Sequence, residues 1–222
     1  MGKTIKLKAK DGHGFDAYVA EPGGKAKGAM VVIQEIFGVN HHMRRVTDDY
    51  AKEGYFSISP ALFDRVRPGI ELGYGPDDIP KGRDIRQQIP LDKTLLDLQA
   101  TIDEAKKHGK VGVVGYCWGG SLAYLAATRL DGVAAASGYY GGMIAQHKDE
   151  KVKAPTILHF GETDASIPMS DVEQVRKAHP DMSIFLYPAG HGFNCDERGS
   201  YDAAQAKLAL ERTLKFFKEK VG

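Results

Sequence analysis

Apolar residues recur along this chain with two distinct periods, and segments of the two kinds alternate. Short, nearly continuous apolar runs occupy residues 29–33, 55–59, 111–115, 133–137, 156–160 and 183–187. Their length and Val/Ile content predict strands buried on both faces. Between them lie segments whose apolar residues step by three and four. Leu91, Leu95, Leu98, Ile102 and Ala105 form one such stripe, and Leu210, Leu214, Phe217 and Val221 form another. This period predicts helices over residues 43–53, 91–107, 121–130, 171–178 and 201–220. Two early segments, residues 4–8 and 15–20, instead alternate polar with apolar about Asp11-Gly12, which predicts an antiparallel hairpin at one sheet edge. Alternation of strands and helices predicts an α/β fold with a mostly parallel sheet and helices on both faces. Ligands then bind in the loops beyond the carboxyl ends of the strands.

One stretch breaks the pattern. Residues 64–89 carry Arg65, Arg67, Arg83 and Arg86 among glycines and prolines, with room for one short helix at 78–88. It reads as an ordered excursion over the carboxyl edge of the sheet. No repeat or low-complexity tract interrupts the chain, and 222 residues suit one domain spanning 1–222.

Charge narrows the possible partners. The 30 basic and 29 acidic residues are interspersed and leave a formal net charge of +1, without the basic stripe of a nucleic-acid surface. The longest charge-free stretch, residues 132–146, is too short and glycine-rich to span a bilayer, and the first residues lack an apolar signal core. Two cysteines, Cys117 and Cys195, are too few for a disulfide framework. The expectation is a soluble, cytoplasmic protein acting on a small molecule, without nucleic acid or membrane as partner.

The sharpest chemical signal follows the run at 111–114. Gly115-Tyr116-Cys117-Trp118-Gly119-Gly120 has glycine two places on either side of one reactive residue and leads into a helical stretch. This is a nucleophile elbow, in which side chains at the flanking positions would collide as strand folds back onto helix. The turn places Cys117 at the positive end of the helix, where a thiolate or oxyanion is favoured. A buried structural cysteine in a tight turn is the plain alternative.

A nucleophile needs a base, and the base an orienting acid, here in chain order nucleophile, acid, histidine. Asp164, on a proline-closed loop after the run at 156–160, is the candidate acid, with Glu162 its rival. His191, between Gly190 and Gly192 after the run at 183–187, is the candidate base. His159 lies within a strand and reads as a core histidine, and His41, His42, His108, His147 and His179 read as solvated loop or helix-end residues. No ligand spacing for a metal is present, and no cofactor is called for. The oxyanion hole is expected from the backbone N–H groups of Trp118 and of Ile36, in the loop Gln34-Glu35-Ile36-Phe37-Gly38-Val39-Asn40. An acid at Glu35 opposes negative charge developing on Cys117, so it either points to solvent or interacts with Cys117 at rest.

The 34–40 loop, the 115–120 elbow and Ala189-Gly190-His191-Gly192-Phe193 together resemble the dienelactone hydrolase family, the cysteine-using α/β-hydrolases also called carboxymethylenebutenolidases. The resemblance runs from the hairpin to the last helix, where Glu211-Arg212-Thr213-Leu214 also matches. It implies an α/β-hydrolase fold, a monomer, and a Cys117–His191–Asp164 triad that opens a carboxylate-bearing enol lactone through an acyl-cysteine. It also implies that Glu35 is paired with the cysteine environment until a substrate carboxylate displaces it. Two arginines hold that carboxylate in the family. Arg83 is the counterpart of one, while the other position, four residues after His191, is Cys195 here. Arg198 substitutes only if its loop turns back.

Two other readings remain: a general small-ester carboxylesterase, and a thiol redox protein in which Cys195 resolves an oxidised Cys117. The chain lacks C-x-x-C, and the turn after Val114 lacks the glycine pattern that cradles a dinucleotide.

Overall fold

The computed structural model describes residues 2–222. Eight strands form one sheet: β1 (Lys3–Lys8), β2 (Gly14–Ala20), β3 (Ala29–Ile33), β4 (Phe56–Pro60), β5 (Val111–Tyr116), β6 (Val133–Tyr139), β7 (Thr156–Gly161) and β8 (Ser183–Tyr187). Their order across the sheet is β1-β2-β4-β3-β5-β6-β7-β8. The hairpin β1–β2 and the pair β2–β4 are antiparallel, and every later pair is parallel. The apolar runs thus form the parallel part of the sheet and the alternating hairpin one edge, while β8, expected to be buried on both faces, lies at the other edge with only Tyr187 buried. Strand β5, with every residue buried, lies mid-sheet, so its carboxyl end opens at the middle of the loop edge.

Among the described residues there are six α-helices, five between strands and the last after β8: α1 (His41–Lys52), α2 (Asp78–Gln87), α3 (Leu91–Ala105), α4 (Trp118–Arg129), α5 (Met169–Ala178) and α6 (Ala203–Lys220). Their starts depart from the periodicity because caps fix them. The Asn40 side chain accepts from Met43 N, so α1 begins at His41, two residues before its first apolar position. Asp202 accepts from Ala204 N and Gln205 N, so α6 begins at Ala203, after Tyr201. Helix α4 starts at Trp118, directly after Cys117, three residues before the expected Ser121. It is buried from Trp118 to Thr128, which explains why its sequence shows no polar face.

The excursion at 64–89 is ordered and contains α2. It lies on the loop after β3: Leu72 N donates to Phe37 O at 2.8 Å, and a Cβ on Gly82 would overlap the carbonyl oxygen of Ile36. A sequence without apolar period still packs here, because backbone hydrogen bonds and close glycine contacts replace a buried stripe. Among the described residues no helix is long and apolar enough to cross a membrane.

Candidate active site

Cys117 caps α4 with φ 56° and ψ −116°, a strained conformation for a residue bearing a side chain. Its amide donates to Tyr139 O at 3.0 Å, which ties the turn to the neighbouring strand β6. The flanking glycines are required sterically. A Cβ on Gly115 would overlap the backbone of Gly119, and one on Gly119 would overlap the carbonyl oxygens of Ile33 and Gln34. The turn therefore leaves the Cys117 side chain partly exposed at the crest of a sheet whose strand β5 is buried throughout.

Three side chains from three loops meet there. His191 Nε2 lies 3.2 Å from Cys117 Sγ, and its Nδ1 lies 2.7 Å from Asp164 Oδ2. The other oxygen of Asp164 accepts from Ser166 N at 2.8 Å, so the carboxylate is held by its own loop. Glu162, the rival acid, is exposed. Burial disfavours the imidazolium of His191, but the hydrogen bonds it donates to Asp164 and Cys117, and their charges, outweigh burial and push its pKa up to about 10. A proton on the ring is thus well held. Ser200 Oγ donates to His191 O at 2.6 Å, which fixes the backbone of the histidine loop.

The two expected oxyanion donors flank this group. Trp118 is the first residue of α4, so its N–H has no intrahelical acceptor. Ile36 lies on the loop after β3, the strand paired with β5. That loop is braced by Gln34, fully buried, which accepts from Leu62 N at 3.1 Å and donates to Glu35 O at 3.2 Å. Gln34 escaped the sequence reading, although a glutamine continuing an apolar run was its visible signal.

Glu35 takes neither of its expected positions. It is 1% exposed, so it does not point to solvent, and its Oε1 lies 3.0 Å from Arg198 Nη1 rather than on Cys117. The loop carrying Arg198 does turn back. Its guanidinium packs where a side chain on Gly192 would sit and lies 5.8 Å from the Phe37 ring centre. Arg83, by contrast, is exposed on α2 and forms no hydrogen bond or ion pair among the described residues, so the structure does not join it to Arg198.

Comparison with known proteins decides the family. The model of the dienelactone hydrolase family matches residues 15–221. The chain belongs to the dienelactone hydrolase family. It is similar to the carboxymethylenebutenolidase of Pseudomonas putida, at 36% identity over 97% of this chain and 96% of that protein. It is also similar to a candidate carboxymethylenebutenolidase of Synechocystis, at 40% identity over 90% of this chain and 89% of that one. A candidate dienelactone hydrolase from Klebsiella pneumoniae, solved by crystallography, superposes with a TM-score of 0.84 at 30% identity, covering 98% of this chain and 99% of the other. By family the protein is therefore a hydrolase, and its sheet is that of the α/β-hydrolases.

Within this dienelactone hydrolase family member, Tyr140 was not foreseen. Tyr140 follows β6 with φ 39°, is fully buried, and sets its ring 5.1 Å from that of His191. Its hydroxyl and Glu35 Oε2 are both buried without a hydrogen-bond partner. Cys195 is 1% exposed, and burial, then the charge of Glu35, pushes its thiol up to about 12. Burial thus keeps it protonated and shielded from solvent.

His42 corrects the expectation of a solvated histidine. It is buried, its Nδ1 lies 3.1 Å from Asp196 Oδ1, and burial lowers its pKa. His147 and His179 are half-buried, while His41 and His108 are exposed as expected. His42, Asp196 and Glu197 converge into a group of metal-ligating types that sequence spacing did not reveal. The Arg45 guanidinium already bonds both acids, so their charge is met by the protein itself. His159 is a core histidine, bonded to Tyr187 and Thr213, with burial pulling its pKa down to about 3. A cavity of about 350 Å³ between α1 and α6 is lined by His42, Tyr50, Tyr116 and Leu210 but not by Cys117.

Proposed function

We propose that this protein hydrolyses small carboxylic esters, enol lactones among them, by attack of Cys117 on the acyl carbon. The observation that carries the reading is the contact of His191 Nε2 with Cys117 Sγ at 3.2 Å while its Nδ1 is held by Asp164 at 2.7 Å. Sulfur bonds to the carbonyl carbon as its proton passes to His191, and the carbonyl oxygen becomes an oxyanion facing the amides of Ile36 and Trp118. The tetrahedral intermediate collapses, the carbon–oxygen bond breaks, and His191 returns its proton to the leaving alkoxide or enolate. Water activated by His191 then cleaves the acyl-cysteine and restores the thiol. Asp164 keeps the ring in the orientation this exchange requires.

The reaction needs only these side chains and water, and a monomer suffices for it. A reducing compartment such as the cytoplasm suits two free thiols. Thiol exchange with Cys195 is opposed by the burial and protonation of that residue. Replacement of Cys117 by Ala tests the reading. Hydrolysis of a chromogenic acetate ester and of an enol lactone falls by about 10³-fold or more in a protein of unchanged circular dichroism. Retention of either rate would end the proposal.

A further inference from the structure

Leu210 does not join the core that its stripe predicts. It is 41% exposed, and Tyr201, just before α6, is 43% exposed. Both line the cavity of about 350 Å³ between α1 and α6, a volume within the range of about 300–1,000 Å³ usual for small-molecule sites. The space exists because small side chains border it. Ala203 and Ala206 of α6 and Val46 of α1 line the cavity, and none is long enough to fill it.

The same wall holds hydroxyl groups that the fold leaves incompletely bonded. Tyr50 and Tyr116 both line the cavity and are 2% and 4% exposed. Burial pushes both phenols well above their usual range, so each keeps its proton. Their oxygens lie 3.3 Å apart, and neither has another hydrogen-bond partner among the described residues. That single contact engages one of the two protons, so the other O–H has no acceptor in the protein. A buried donor in this state calls for an acceptor in the adjoining space. Charge in the wall stays at the mouth. Arg45, Asp49, Glu53, Asp196 and Lys207 are exposed, with Arg45 paired to Asp196 and Asp49 to Lys52. His42, the buried titratable side chain with them, is pushed toward its neutral form by burial.

We infer that the α1–α6 cavity is a second binding site, which takes a small neutral molecule with an apolar body and an oxygen acceptor. The acceptor receives the free hydrogen of the Tyr50–Tyr116 pair, and the body lies against Val46, Leu210 and Leu214. Cys117 does not line the cavity, so an occupant leaves the thiol free and binds alongside an ester. The site does not depend on Cys117 being the nucleophile.

Titration of the full chain with 4-fluoroacetophenone, followed by fluorine NMR, tests the inference. This ketone is neutral, has an aromatic body and carries one carbonyl acceptor. The wild type gives a saturable shift of the fluorine signal, and the shift persists after Cys117 is capped with iodoacetamide. Leu210→Trp, a substitution at an exposed position that fills the mouth, abolishes it in a protein of unchanged circular dichroism. Tyr50→Phe combined with Tyr116→Phe removes the free donor and weakens binding by about three- to tenfold, the worth of one neutral hydrogen bond. 4-Fluorobenzoate, the anion of similar size, binds more weakly than the ketone. Absence of a saturable shift in the wild type would overturn the inference, since the cavity would then hold water only. Loss of the shift on capping Cys117, or its survival in Leu210→Trp, would place the ketone elsewhere and overturn it as well. Undiminished binding in the double phenylalanine variant, or tighter binding of the benzoate, would refute the ligand chemistry assigned to the site.

Discussion

Two buried carboxylates flank the strand that presents Cys117, and each holds a cationic partner, with opposite consequences. Asp164, beyond β7, binds His191, and Glu35, beyond β3 on the other side of β5, binds Arg198. Imidazole gives up and regains its proton within the accessible pH range, so the first pair can move a proton to and from sulfur. Guanidinium does not, so the second pair can only fix a charge in place. The partner, not the carboxylate, decides whether a buried ion pair serves chemistry or architecture.

Substitutions sharpen this contrast, and the largest effect belongs to the titrating side. His191→Gln removes the proposed proton carrier and lowers kcat by about 10⁴-fold or more, read in steady-state ester hydrolysis. Asp164→Asn leaves the ring but not its preferred tautomer, and the loss is about 10²–10⁴-fold. If Asp164→Asn hydrolysed ester as fast as the wild type, the pair would be structural and the contrast would vanish.

On the fixed side the effect is on stability. Arg198→Met strands a Glu35 carboxylate that is 1% exposed, and loss of one partner from a buried pair costs about 3–5 kcal/mol in urea unfolding. Addition of Glu35→Gln to Arg198→Met recovers most of that loss. A single variant as stable as the wild type would show that the pair carries no weight in the fold.

The last effect is in pH dependence. The folded pKa of His191 stands at about 10, above the ordinary 6.5. The stability its proton contributes is therefore full below about 6.5 and is lost as pH rises through about 10. Between those limits the wild type loses stability that His191→Gln does not, while Arg198 keeps its proton throughout. Parallel stability curves for the two proteins would contradict this assignment.

Legibility in the sequence follows the same division. Cys117, Asp164 and His191 stand just beyond strand ends, where apolar period and flanking glycines fix the backbone, so their meeting could be anticipated from chain order. The strand set was readable for the same reason: β3 and β8 coincide with their apolar runs, and β5 merely extends one residue further, to Tyr116. The Glu35–Arg198 contact was not readable, because residues 192–201 form a loop whose course is set by backbone hydrogen bonds and by the space at Gly192. His42 was misjudged on similar grounds. Its helix shows no stronger stripe there, and burial comes from Asp196 and Tyr74, both distant in sequence. Helix starts shifted wherever a cap such as Asn40 or Asp202 overruled apolar period.

Trapping the covalent intermediate tests the central claim most directly. Rapid acid quench during turnover of a chromogenic ester, followed by peptide mass spectrometry, finds the mass of the acyl group on the peptide bearing Cys117 and on no other. An acyl group on a different residue, or full turnover with Cys117 unmodified and replaceable by Ala, would contradict the account.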